Sequence, residues 1–75
     1  MSVFAIKIGQ VIKKKRTSLG LSQEALAAIA GINRSYLGEI ERGEVELSAI
    51  NLQRIADGLG IKLSELILLY ENEND

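Results

Sequence analysis

Seventy-five residues with no Cys, no His and a net charge of −1 make one domain near the lower size limit for a core without staples, and exclude disulfides, thiolate sites and imidazole metal ligands. Residues of the types AVILMFWYC make up 47% of the chain but Phe, Trp and Tyr only 4%, so the core is aliphatic, and no apolar run approaches the roughly 20 residues that cross a bilayer. The opening residues lack the basic-then-apolar order and cleavage site of a secretory signal, which makes a cytoplasmic protein the expectation.

The absence of Pro, the spacing of apolar residues and regular stop signals predict an all-α domain spanning residues 1–75. A first helix over about 5–19 puts Phe4, Ile8, Val11, Ile12 and Leu19 near one face and Lys7, Lys13, Lys14 and Arg16 around the others. Later helices are expected over about 23–30, 34–42, 49–59 and 63–70. Gly20, Gly31, Gly43 and Gly60 each follow a helix-compatible stretch and can take the left-handed conformation that ends it. Leu21-Ser22, Ile32-Asn33 and Leu47-Ser48 each place an apolar residue before an N-cap, with Leu26, Leu37 and Leu52 positioned to complete hydrophobic staples. The polar tail, residues 71–75, is expected to fray.

The last helix bears on assembly. Leu63, Leu66, Ile67, Leu68 and Leu69 cannot share one face at about 100° per residue, so one side can cover the core while the other leaves an apolar patch. A homodimer is the expectation, with a dimerisation segment at about 60–70 and Leu63, Leu66, Ile67, Leu68 and Tyr70 at the interface. Two-fold symmetry would present paired half-sites roughly 34 Å apart, and so an approximately palindromic target.

The segment that carries chemistry runs from Gln23 to Arg42, QEALAAIAGINRSYLGEIER: two short helices joined through Gly31, as a helix-turn-helix requires. Leu26, Ala30, Leu37 and Ile40 lie where the helices would meet, Ala27 permits close approach, and Ile32 can plug the angle. At the start of the second helix the outward residues are Asn33, Arg34, Ser35 and Tyr36. A helix entering the major groove meets base edges with its first turn, and an Arg there can donate two hydrogen bonds to guanine. Arg34 is the first candidate base reader, followed by Ser35 and Tyr36, the last with an alternative role in the core. Gln23, Asn33 and Arg42 are candidates for phosphate, Asn33 also serving as a cap. The run Lys13 to Arg16 spreads around its helix, so only part of it can face DNA.

The overall charge argues weakly against a polyanion partner, but its distribution does not. Residues 1–43 hold seven Lys and Arg against three Glu, a surplus of 4, whereas residues 44–75 hold two against seven acidic residues, a deficit of 5. One end of the domain is suited to double-stranded DNA and the other to something else.

The stretch RTSLGLSQEALAAIAGINRSYLGEIERG resembles the lambda-repressor-like, Cro/C1-type (XRE) helix-turn-helix family over nearly the whole chain, and is most similar there to the controller proteins of restriction–modification systems. The resemblance implies a five-helix DNA-binding domain in which Gln23, Arg34, Ser35, Tyr36 and Arg42 contact DNA. It also implies a structural salt bridge between Arg16 and Glu41. The chain departs from many relatives after the matching ERG, where Glu44-Val45-Glu46 replaces basic or amide residues and sets two carboxylates near the expected phosphate path.

With no His or Cys, no evident carboxylate pair in a pocket and no phosphate-binding glycine loop, an enzyme is not expected, and no cofactor or metal is implied. An antitoxin of the same fold, or a helix-turn-helix turned to protein contact, would keep the same helices. The residues carry no signature for or against contact with RNA polymerase.

Overall fold

The computed structural model describes residues 2–73, and within them the chain forms α1 (Val3–Ser18), α2 (Gln23–Ala30), α3 (Arg34–Glu41), α4 (Ala49–Gly58) and α5 (Leu63–Glu71). Boundaries fall within two residues of those expected. The largest difference is at the first helix, which starts at Val3 because the Ser2 hydroxyl caps it by accepting from the Ala5 N–H at 3.0 Å. Ser22, Asn33 and Ser48 cap the next three helices as anticipated. The fifth has Lys62 at its N-cap, whose backbone N–H donates to the Glu65 carboxylate at 2.8 Å.

Four of the helix ends share one construction. Gly20, Gly31, Gly43 and Gly60 all have φ between 71° and 74°, and at each the residue after the glycine donates its N–H to the carbonyl five positions back: Leu21 to Arg16, Ile32 to Ala27, Glu44 to Glu39 and Ile61 to Ala56. This 6→1 closure satisfies carbonyls that the helix end leaves open.

The core is a single aliphatic cluster. Ile8, Val11 and Ile12 from α1, Leu26 and Ala27 from α2, Leu37 and Ile40 from α3, Leu52, Ile55 and Ala56 from α4, and Leu66 from α5 are all buried in it. α1 packs on α3 and α5, α4 on α2 and α5, and α2 on α3. Two of these approaches depend on glycine. A Cβ on Gly9 would collide with the carbonyl oxygen of Ile40, and one on Gly58 would lie 2.9 Å from Leu26 Cδ1 and 3.3 Å from the Ala30 Cβ. A mid-helix Gly costs about 1 kcal/mol against Ala, so Gly9, inside α1, trades helix propensity for close packing, while Gly58 stands at the last position of α4.

Three expectations are corrected. Leu19 is 46% exposed, because α1 ends one residue earlier and the turn carries the side chain off the buried face. Leu66, expected at a dimer interface, has no exposed surface at all: it is the α5 residue that completes the core. The tail is ordered further than expected, since Glu71 closes α5 and the Glu73 carboxylate accepts from Lys14 Nζ at 2.7 Å; residues 74–75 lie outside the described residues. Among the described residues, no buried side-chain nitrogen or oxygen lacks a hydrogen-bond partner, and no helix is long and apolar enough to cross a membrane.

Candidate nucleic-acid interface

α2, the turn through Gly31 and α3 build the surface from which the candidate residues project. Leu26, Ala30, Leu37 and Ile40 are buried between and beneath the two helices, and Ala27 is 3% exposed, so its small side chain sets the spacing. Ile32 is half-buried against the core from the turn. With those residues turned inward, Arg34 and Ser35 are left exposed on the first turn of α3.

Asn33 holds that turn in place. Its Oδ1 accepts from the N–H of Ser35 at 2.7 Å and of Tyr36 at 3.2 Å, so the side chain assigned to phosphate from the sequence is occupied with the helix end, leaving its amide N–H groups outward. Tyr36 is half-buried against the core, and its hydroxyl accepts from Asn51 Nδ2 at 3.0 Å. This ties α3 to the start of α4. Asn51 escaped the sequence reading because nothing local marks a contact between residues so far apart.

The C-terminal end of α3 is fixed by a buried network. Arg16 Nε donates to Glu41 Oε2 at 2.7 Å and its Nη2 to Oε1 at 3.0 Å, while Nη1 donates to the Leu21 carbonyl at 2.8 Å. Gln23 Nε2 adds a bond to Glu41 Oε1 at 2.9 Å. The two charged side chains are 9% and 2% exposed, a bidentate fork whose remaining capacity is met by neighbours. It joins α1, the α2 N-terminus and α3 at one point. Gln23 is therefore part of the scaffold, with its carbonyl oxygen and second amide hydrogen still free of intramolecular partners among the described residues.

Arg42 caps α3 and is exposed, but its guanidinium is engaged: Nε and Nη2 donate to the two Glu44 oxygens at 2.9 and 3.1 Å. The hydrogen bonds that Glu44 accepts, and then its negative charge, raise the Arg42 pKa above the ordinary value. Reciprocally, the bond from Arg42 holds the Glu44 carboxyl below the usual range, opposed by desolvation and aided by the Arg42 charge. Glu46, the other carboxylate of the loop, accepts from the Ser2 hydroxyl at 3.1 Å instead. The departure noted in the sequence thus has a structural form: one acid of the loop neutralises the arginine beside it and the other pins the loop to the start of α1.

The residues expected at a dimer interface divide. Leu68 is 55% exposed and Ile67 half-buried, whereas Leu63 packs against the core. Tyr70 is committed to α1: its ring lies 5.1 Å from that of Phe4, centroid to centroid, and Lys7 Nζ sits 4.8 Å above it. Leu69, 41% exposed, joins Leu68 on the open side of α5.

Comparison with known proteins places this geometry. Residues 12–66 match the HTH_3 family, described as helix-turn-helix. The control protein C.MunI of Mycoplasma sp is 40% identical over 74 residues, covering 97% of this chain and all of the relative. Among solved structures, the restriction–modification controller protein C.AhdI from Aeromonas hydrophila is 44% identical with a TM-score of 0.80, over 83% of this chain and 94% of that one. The wild-type restriction–modification controller protein C.Esp1396I is 31% identical with a TM-score of 0.89, over 95% and 93%.

Proposed function

The chain belongs to the HTH_3 helix-turn-helix family, and from that premise we propose that it is a sequence-specific regulator of transcription that binds double-stranded DNA as a homodimer on an approximately palindromic operator, in the manner of a restriction–modification controller protein. The observation that carries this reading is the first turn of α3. Arg34 and Ser35 are exposed there, on a helix whose start is capped by Asn33 and whose end is held by the Arg16–Glu41 fork. The planar guanidinium fork matches the two acceptors on the guanine edge, so its two hydrogen bonds discriminate between bases rather than merely attract the polyanion. Gln23 and Arg42, at the other end of α3, serve the phosphates. The open side of α5, with Leu68 and Leu69, joins the protomers so that two α3 helices face successive turns of the groove.

The test is binding of the wild type and of Arg34→Ala to the DNA just upstream of the protein's own gene, at two salt concentrations, against a scrambled duplex. Wild type prefers the upstream DNA and loses affinity steeply as salt rises; Arg34→Ala keeps the salt dependence and loses the preference. Binding that ignores sequence in both proteins overturns base reading by Arg34. No binding to either duplex at low salt overturns the assignment to DNA.

A further inference from the structure

We propose that Glu44 sets the strength of DNA-backbone binding by occupying the Arg42 guanidinium as an intramolecular stand-in for a phosphate. The proposal rests on the DNA-binding reading above and concerns one arginine within it. Residues two apart do not face each other on a helix; Arg42 and Glu44 meet because Gly43 between them has φ 74° and reverses the chain. That reversal is locked, since a Cβ on Gly43 would lie 2.8 Å from the Ile6 Cα. On the other side, the missing side chain of Gly38 leaves the space in which Arg42 lies, a Cβ there coming within 3.1 Å of Nη1. Glycines on both sides of the guanidinium thus shape its position, and Glu44 closes the fork with two hydrogen bonds.

The carboxylate fork has the geometry by which Arg also binds phosphate. Arg42 and Glu44 are 58% and 47% exposed, and an ion pair so open to solvent contributes little to stability. A DNA phosphate, backed by the field of the whole duplex, can therefore displace it, but the exchange leaves a freed carboxylate beside a polyanion. While the pair is closed it is neutral and releases no counterions from DNA. Removing the carboxylate leaves Arg42 as an open phosphate site, which adds up to about 0.9 per protomer to the slope of log affinity against log salt.

The experiment measures binding of the full chain to the upstream and scrambled duplexes across a fourfold range of salt, for wild type, Glu44→Gln, Glu46→Gln, Arg42→Ala and the double variant Arg42→Ala/Glu44→Gln. Thermal melts accompany each to establish folding. Glu44→Gln is expected to bind both duplexes more tightly by the same factor, and to lose roughly threefold more affinity per protomer than wild type over the salt range. Glu46→Gln, which removes the same charge from the same loop, changes the slope little, and the Glu44 effect vanishes in the Arg42→Ala background. Equal effects of the two Glu variants, or a Glu44 effect that persists without Arg42, would mean simple charge repulsion and overturn the proposal. A changed preference between duplexes would make Glu44 a base contact and overturn it too, as would no change at all. If neither wild type nor Glu44→Gln binds any duplex, the DNA-binding reading itself has failed; steep wild-type binding with an unaffected Glu44→Gln removes this inference alone.

Discussion

Arg16→Met tests whether one buried fork holds α3 in place. In the native fold Glu41 accepts two hydrogen bonds from Arg16 and one from Gln23, and its side chain is 2% exposed. Methionine fills most of the space of the arginine stem but leaves Oε2 without a donor and Oε1 with Gln23 alone. Breaking a buried pair by removing one partner costs about 3–5 kcal/mol, because the remaining charge is neither solvated nor neutralised. A domain of this length has roughly 4–11 kcal/mol of stability in total. Each kcal/mol shifts the melting temperature by about 4–8 °C at this size, so the midpoint should fall by at least roughly 12 °C in a thermal melt followed by circular dichroism. Adding Glu41→Leu removes the orphaned charge and should return most of the loss, since replacing both partners with apolar groups is often close to neutral. A loss below about 1 kcal/mol for Arg16→Met, or a double variant no more stable than the single one, would refute the reasoning.

The other predictions concern packing, assembly and acid. Gly9→Ala should lower the melting temperature despite its gain in helix propensity, because its Cβ meets the backbone oxygen of Ile40, whereas Gly58→Ala should cost less, its first obstacle being the movable end of Leu26; paired thermal melts compare the two. Leu66→Ala should destabilise the fold by about 2–5 kcal/mol through a cavity in the core, measured by urea unfolding. Leu68→Asp, at an exposed position, should leave secondary structure unchanged but shift sedimentation toward monomer and weaken binding to the upstream duplex. As pH falls through the lowered Glu44 pKa the carboxylate protonates; the small stabilisation from its pair is present above the unfolded carboxylate range and is lost below the folded value, and Arg42 is then released. Binding at low pH should therefore show a Glu44-dependent increase, seen as a narrowing gap between wild type and Glu44→Gln in a titration of affinity.

Local features wrote much of this protein into its sequence. Ser22, Asn33 and Ser48 mark helix starts, and the four glycines mark ends, because caps and left-handed turns are made by residues within five positions of each other. The spacing of Leu26, Ala30, Leu37 and Ile40 likewise disclosed the faces on which α2 and α3 meet, and by elimination the outward turn with Arg34 and Ser35. The Arg16–Glu41 pair was legible only by resemblance, since no periodicity links residues 25 positions apart. What the tertiary structure alone decided is which of several chemically equivalent side chains is free to act. Leu66 and Leu68 are the same residue two positions apart, yet one closes the core and the other faces outward, because the angle at which α5 lies on α1 and α4 chooses the buried side. Arg34 and Arg42 carry the same guanidinium at the two ends of one helix; a turn around Gly43 that is locked against Ile6 gives only the second of them a carboxylate. Propensity and pattern act along the chain, whereas burial and charge pairing act through space, and the choice among like side chains belongs to the latter.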